Sequence, residues 1–207
     1  MKLSLMAIAA IGAVFFSACA LRQAQDDIGG GATPAMAAMP APFESDTAPD
    51  DVAAGAYCRR TGGLVETRRA VYGTNGSQLL FLAGKRMFCQ YTKKTNGSRI
   101  HILLSTLYTT KPTLAALAYI LKPPPSGTCN GNPASCYCTQ LGGSDQFGGT
   151  TGAGGGWYKK NGIDQTLEAC VFPDESSIDS WGLTYHAHGI IRGTDLKEVM
   201  RYKYPGG

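Results

Sequence analysis

The pattern Tyr-Cys-x-x-x-Gly-Gly occurs twice in this chain, as Tyr57-Cys58-Arg59-Arg60-Thr61-Gly62-Gly63 and as Tyr137-Cys138-Thr139-Gln140-Leu141-Gly142-Gly143. A second cysteine follows each at nearly the same distance: Cys89 lies 31 positions after Cys58, and Cys170 lies 32 after Cys138. Each partner sits in a short apolar run, Met87-Phe88-Cys89-Gln90-Tyr91 in one case and Ala169-Cys170-Val171-Phe172 in the other. Self-similarity at this level constrains a fold more than local propensity does, because it implies one unit built twice. We read two copies, residues 51–125 and 126–207, with Cys58–Cys89 and Cys138–Cys170 as equivalent disulfides. Cys129 and Cys136 are left to pair around the loop Asn130 to Ser135.

Disulfides need an oxidising compartment, and the N-terminus supplies the route to one. Met1-Lys2 is a minimal positive end, Leu3 to Phe16 is apolar, and Ser17-Ala18-Cys19 closes the run with small residues. Residues 1–18 therefore read as a signal peptide, and Phe16-Ser17-Ala18-Cys19 looks like a bacterial lipobox in which Cys19 is acylated. The alternative is ordinary cleavage after Ala20, which leaves a soluble periplasmic or secreted product. Both routes export the chain to the cell envelope, as an outer-membrane lipoprotein in the first case. Residues 19–50 are rich in Ala, Pro, Gly and acid without periodicity, and read as a disordered tether.

Within each copy the punctuation is that of an α+β fold. Asn132 followed by Pro133 is a helix start, and Gly142-Gly143 ends the run where a left-handed C-cap is favoured. In the first copy Asp50 or Asp51 is the expected cap and Gly62-Gly63 the stop. Asn75-Gly76, Asn96-Gly97 and Asn161-Gly162 divide apolar runs and predict antiparallel hairpins. Asn75 and Asn96 also fit a glycosylation acceptor pattern, but in a bacterial exported chain the turn is the better reading. Closing helices are expected over Ile178 to His186 and, as its counterpart, Pro112 to Leu121, before Pro123-Pro124-Pro125 breaks the chain. Trp181 and Tyr185, four apart, are expected on the core face of the former, the alternative being an exposed Trp that binds sugar.

The second copy is recognisable as a set of motifs. Asn132-Pro133-Ala134-Ser135, then Tyr137-Cys138, Gly142-Gly143, Cys170, Pro173-Asp174 and Trp181, resembles a family of small bacterial envelope lipoproteins that share a cysteine-containing domain of unknown function and are often labelled haemolysin-like. The resemblance covers about Asn132 to Gly193 well and Asp51 to Lys122 weakly. Cys129 and Cys136 are additional to the family pattern, Ser180 stands where an acid is common, and Gly148 to Gly156 enlarges a loop. What the resemblance implies is an envelope location and, more distantly, an action on membranes.

Charge points to a partner. The chain carries a formal net charge of +4, but Cys58 to Lys122 hold 11 Lys/Arg against the single acid Glu66, a balance of +10. Cys129 to Gly207 hold 6 against 8, a balance of −2. The candidate anion-binding residues are Arg59, Arg60, Arg68, Arg69, Lys85, Arg86, Lys93 and Lys94, and the partners that fit are anionic lipid, lipopolysaccharide, an acidic glycan or an acidic protein segment. Nucleic acid is not expected outside the cell interior. With 43% hydrophobic and 16% charged residues the chain is neither wholly disordered nor a multi-spanning membrane protein.

Candidates for chemistry are weak by comparison. His186-x-His188 with Cys136-x-Cys138 has no zinc spacing, and the Gly148 to Gly156 run lacks the Lys-Ser/Thr of a phosphate loop. Asp174, Glu175 and Asp179 fit a turn and a helix start. The expectation is thus a non-catalytic, lipid-anchored envelope protein, with no catalytic residue, metal or cofactor assigned. A membrane-perturbing effector is the first alternative, and a glycan hydrolase working through Asp179, Glu175 or His186 the second.

Overall fold

The computed structural model of the chain describes residues 49–73, 78–145, 154–161 and 164–206. The segments expected to be a signal peptide, a lipobox and most of a tether lie outside them, as do Asn75-Gly76, Gly162 and most of the glycine run. The described part is α+β, with one antiparallel sheet and helices on one of its faces.

Helix α1 (Pro49–Arg60) leads into β1 (Leu64–Tyr72), β2 (Leu80–Thr92) and β3 (Arg99–Leu103), and β3 runs directly into α2 (Leu104–Tyr108). Helix α3 (Leu114–Leu121) follows, then α4 (Pro133–Gln140), β4 (Ser144–Asp145), β5 (Gly155–Tyr158), β6 (Thr166–Leu167), β7 (Ala169–Val171) and β8 (Ser177–Asp179). Strand β8 runs directly into α5 (Ser180–Ala187), and α6 (Leu196–Val199) closes the fold. The strands lie in the order β4-β7-β8-β3-β2-β1-β5-β6, and β3 meets β8 in the middle through Ile102 and Ile178. Thr166–Leu167 pairs with β5 and Ala169–Val171 pairs with β8, with Glu168 alone between them. One continuous stretch thus joins opposite parts of the sheet, which curls back on itself. A register shift between Arg69 and Val71 on β1 adds to the twist this requires.

The period of two in a strand sends alternate residues to the two faces. Ile100, Ile102 and Ile178 face the helices, where Leu104, Leu107, Tyr119, Leu183 and Met200 close a buried cluster. Phe88 and Leu103 face the other way, into the curl, with Trp157, Leu167 and Ala169. A fully buried Ile or Leu is worth roughly 1.5–3 kcal/mol, so the two clusters are the principal favourable term.

Three disulfides link Cys58–Cys89, Cys129–Cys136 and Cys138–Cys170, the pairs that the cysteine spacing predicts. Helices α1 and α4 end alike. Gly63 N–H donates to Cys58 C=O at 2.8 Å and Gly143 N–H to Cys138 C=O at 3.0 Å, each after a left-handed glycine, Gly62 or Gly142. The second glycine of each pair is required by space: a Cβ on Gly63 would overlap Cys89 Sγ, and one on Gly143 would lie 2.5 Å from Cys170 Sγ. Each Gly-Gly therefore turns the chain and then lets it pass over the disulfide.

Several boundaries differ from the sequence expectation. Asp50 and Asp51 lie inside the first turn of α1, where their charge suits the helix dipole, instead of capping it. Ile178 belongs to β8, so α5 begins at Ser180 with Asp179 as its cap, Asp179 Oδ1 accepting from Gly182 N–H at 2.8 Å. Helix α3 begins at Leu114 behind Thr113, leaving Pro112 outside. The element that follows β3 as α5 follows β8 is α2, not α3.

Candidate functional site

Of the 11 cations between Cys58 and Lys122, the structure leaves Arg59, Arg60, Arg69, Lys85, Lys93, Lys94, Lys111 and Lys122 exposed, and among the described residues none of these is in an ion pair. Arg59 and Arg60 end α1, where a cation complements the helix dipole. Lys93 and Lys94 lie in the turn between β2 and β3. Arg69 and Lys85 are register partners on β1 and β2 and stand side by side. Like charges directly opposed across two strands destabilise a hairpin, so this pair is a cost to the fold.

The same hairpin is apolar beyond that pair. Tyr72 (50% exposed), Leu80 (61%), Phe81 (50%) and Leu82 (43%) occupy its described end, with Tyr72 opposite Leu80 and Val71 opposite Phe81. Phe81 is steadied by an edge-on contact with Tyr158, ring centroids 5.3 Å apart. With Phe81 on one face of the hairpin and Tyr72, Leu80 and Leu82 on the other by strand alternation, four large apolar side chains make the hairpin end apolar beyond a basic pair, unlike a solvated strand.

Two of the sequence candidates are not available on that surface. Arg68 is 1% exposed, correcting its assignment as an anion-binding residue: its Nε and Nη2 donate to Glu66 Oε2 at 3.0 and 2.6 Å, and its Nη1 donates to the carbonyls of Trp157 and Asp164. Arg86, partly buried, lies over the Trp157 ring at 5.2 Å and donates to Glu175 C=O. Strand alternation explains the first case, since Glu66 and Arg68 are two apart and share the inward face. The one acid of the basic stretch is therefore 4% exposed and offsets none of the surface charge.

Glu66 and Arg68 belong to a buried network that the sequence reading missed. Lys159 Nζ donates to Glu66 Oε1 at 2.6 Å, while His101, on β3, lies with Nε2 3.5 Å from Glu66 Oε2 and Nδ1 3.3 Å from Asp179 Oδ2. Burial alone would raise the Glu66 carboxyl, but contacts from His101, Lys159 and Arg68 outweigh it and hold the group well below the usual carboxylate range. Burial alone would lower His101, but Asp179 and Glu66 overcome it and push it upward. Arg99, bidentate to Asp164 at 2.5 and 3.1 Å, holds that carboxyl low against its own burial and ties the residues just before β6 to β3. A histidine between two carboxylates has the parts of an acid–base set, yet Glu66, Arg68, His101 and Asp179 are each at most 5% exposed. The arrangement can organise the inside of the curled sheet, and among the described residues only Lys159 of the side chains that contact Glu66 or His101 reaches the surface.

The other candidates are dispersed. Asp174 Oδ2 accepts from Leu114 N–H at 2.8 Å and Ser176 Oγ from Ala115 N–H at 3.0 Å, so this turn satisfies the first turn of α3. Glu175 is exposed in the same turn. His186 is buried against Tyr119, rings parallel and 3.7 Å apart, away from the Asp179–His101 contact. The Asp179, Glu175 and His186 of the hydrolase alternative are thus not brought to one place. Cys136 and Cys138 are committed to different disulfides. Among the described residues no group of three His, Cys, Asp or Glu could hold a metal ion, and no helix is long and apolar enough to cross a membrane.

Trp181 and Tyr185 correct another expectation. Trp181 is half-buried and Tyr185 is 37% exposed; both face outward from α5 with ring centroids 5.9 Å apart. They line an open cleft of about 430 Å³ whose other walls are Asn96 and Ser98 of the β2–β3 turn and the segment Ile190 to Arg192. Asp179, by capping α5 two residues before Trp181, sets the helix phase that turns these rings outward.

Comparison of the chain with models of known families, with curated proteins and with solved structures gives no match.

Proposed function

We propose that this is an exported, non-catalytic cell-envelope protein, anchored through Cys19, that holds its β1–β2 hairpin against an anionic membrane surface. The observation that carries this reading is the hairpin itself: Tyr72, Leu80, Phe81 and Leu82 exposed beyond the opposed pair Arg69 and Lys85. Apolar side chains that enter the headgroup region and cations that meet lipid or lipopolysaccharide phosphates are the two components of reversible surface binding. The cross-strand like-charge pair fits such a surface, because phosphate between the two cations removes the repulsion that the free hairpin carries. Three disulfides fit an exported chain. The family resemblance of residues 132–193 points to the same compartment.

The chain is built, in this proposal, from two copies of one unit joined at β3 and β8. The first side runs helix, three strands, helix, and the second runs helix, five strands, helix, with β4, β7 and β8 matching β1, β2 and β3 and with β5 and β6 additional; each has a glycine seated on its disulfide. The copies have diverged in charge, and the first carries the binding surface.

Sedimentation with vesicles tests the function. Binding to phosphatidylglycerol-containing vesicles is expected, with release as salt shortens the Debye length to about 3 Å near 1 M. Arg69→Gln with Lys85→Gln should weaken binding about tenfold or more, at about 1 kcal/mol per cation near the surface. Equal binding to neutral vesicles, indifferent to salt, overturns the proposal. The exposed apolar hairpin end also favours the membrane-perturbing alternative, and release of entrapped dye from the same vesicles distinguishes it.

A further inference from the structure

The cleft beside α5 lies at the far end of β2 from the apolar hairpin end. Strand β2 has 13 residues, so the two are roughly 40 Å apart along it. The cleft's construction is specific. Trp181 and Tyr185 form its floor, their ring centroids 5.9 Å apart. The Arg192 guanidinium lies 5.1 Å over the Tyr185 ring. The wall that carries Arg192 is pinned to the sheet: Gly193 N–H donates to Ser98 Oγ at 3.3 Å, and a Cβ on Gly193 would meet Tyr91 C=O and lie 2.8 Å from Ile100 Cγ2. Opposite stand the side-chain amide of Asn96 and the hydroxyl of Ser98, in a turn that also carries exposed Lys93 and Lys94. At about 430 Å³ the volume is within the ordinary range of ligand clefts.

We propose that this cleft binds a saccharide carrying a carboxylate, with a sugar ring stacked on Trp181 and Tyr185 and the carboxylate at Arg192. Each part of the lining matches a part of such a ligand. A pyranose has an apolar C–H face that suits a rigid aromatic ring, and equatorial hydroxyls that suit an amide and a hydroxyl on the facing wall. A guanidinium held over Tyr185 keeps its N–H edges for the planar, two-point recognition of a carboxylate. Lys93 and Lys94 add positive potential at the mouth. An aliphatic chain would leave the Asn96 amide N–H groups, the Ser98 hydroxyl proton and the Arg192 guanidinium N–H edges unsatisfied on desolvation, and inorganic phosphate would leave the two rings unused. The hairpin reading does not enter this argument.

The chain has two tryptophans. Trp157 is 5% exposed inside the curled sheet, so a ligand-dependent change in emission reports Trp181. Oligomers of galacturonate, glucuronate and sialic acid, titrated alongside neutral galactose and glucose oligomers, are the probes. A saturable change in emission is expected with an acidic oligomer. It should be lost in Tyr185→Ala, and in Arg192→Gln the preference for the acidic over the neutral oligomer should fall about tenfold, as for one charge-assisted contact removed. Both side chains are at the surface, and an unchanged thermal midpoint of Arg192→Gln establishes that it folds. Absence of a saturable change with every acidic oligomer up to millimolar concentration overturns the proposal. So does binding that is the same in both variants. The Arg69→Gln, Lys85→Gln protein should bind the oligomer as the parent does, which separates this result from that of the vesicle experiment.

Discussion

His186 is 3% exposed, stacked on Tyr119, and both ring nitrogens are buried without a hydrogen-bond partner among the described residues. Burial, with the nearby Lys122 cation, pushes it down to about 4 from an ordinary 6.5. The folded state therefore holds the ring neutral, while the unfolded chain takes up the proton first. Stability from this group is complete above pH 6.5 and is lost as pH falls from 6.5 through 4, by up to about 3 kcal/mol. His101, pushed upward, has the opposite sign: its contribution is complete below 6.5 and is lost as pH rises through its folded value. Glu168, raised by burial, gains stability as pH falls toward 4.5, in parent and variant alike. His186→Phe keeps the stacking and removes the two unpartnered nitrogens, so the variant should be more stable than the parent at pH 7 and increasingly so at pH 5. Urea unfolding at the two pH values measures this; a constant difference would mean that His186 does not titrate. Glu66→Gln should do the reverse at neutral pH, costing about 3–5 kcal/mol because Arg68 is left buried without its counter-charge.

The disulfides differ as elements. Cys58–Cys89 and Cys138–Cys170 each tie a helix end to a strand inside the main core, whereas Cys129–Cys136 closes a seven-residue separation with Cys129 exposed. Loop-closure entropy assigns about 3–4 kcal/mol to each long link and about 2–3 kcal/mol to the short one. Mild reductant should open Cys129–Cys136 first, with a smaller loss of the midpoint of thermal unfolding than opening either long link causes. Thiol labelling followed by peptide mass mapping checks the order, and labelling of Cys58 or Cys138 ahead of Cys129 contradicts it. The same elements indicate what local sequence specifies. Asn132-Pro133 and the two Gly-Gly pairs are legible because capping and left-handed turns depend on neighbours in the chain. Helix α2 is not, since Leu104 to Tyr108 continues the apolar run of β3 and only packing against α1 ends the strand. Ile178 was assigned to a helix because its pairing with Ile102 is a contact 76 positions away. The outward phase of Trp181 and Tyr185 follows from that same pairing, which places the α5 cap at Asp179.

In the whole molecule, strands from both halves enter one sheet, and the helices of both halves share one cluster. Calorimetry should accordingly show a single unfolding transition; two resolved transitions would show halves that fold independently. The excess of positive charge on the first half was legible from counting. Its effect was not, because the count cannot tell that Glu66 points inward and leaves the surface, or that Arg68 goes with it. Curling has a further result for a protein that would be concentrated on a surface. The strands at the two ends of the sheet order, β4 and β6, are two residues each. A neighbour in a crowded layer finds almost no backbone to add to there. The longer open edge is on β2, whose Leu80 to Met87 pair with β1 on one side and, among the described residues, with no strand on the other, so strand addition between copies would start at the same hairpin that is proposed to meet the surface.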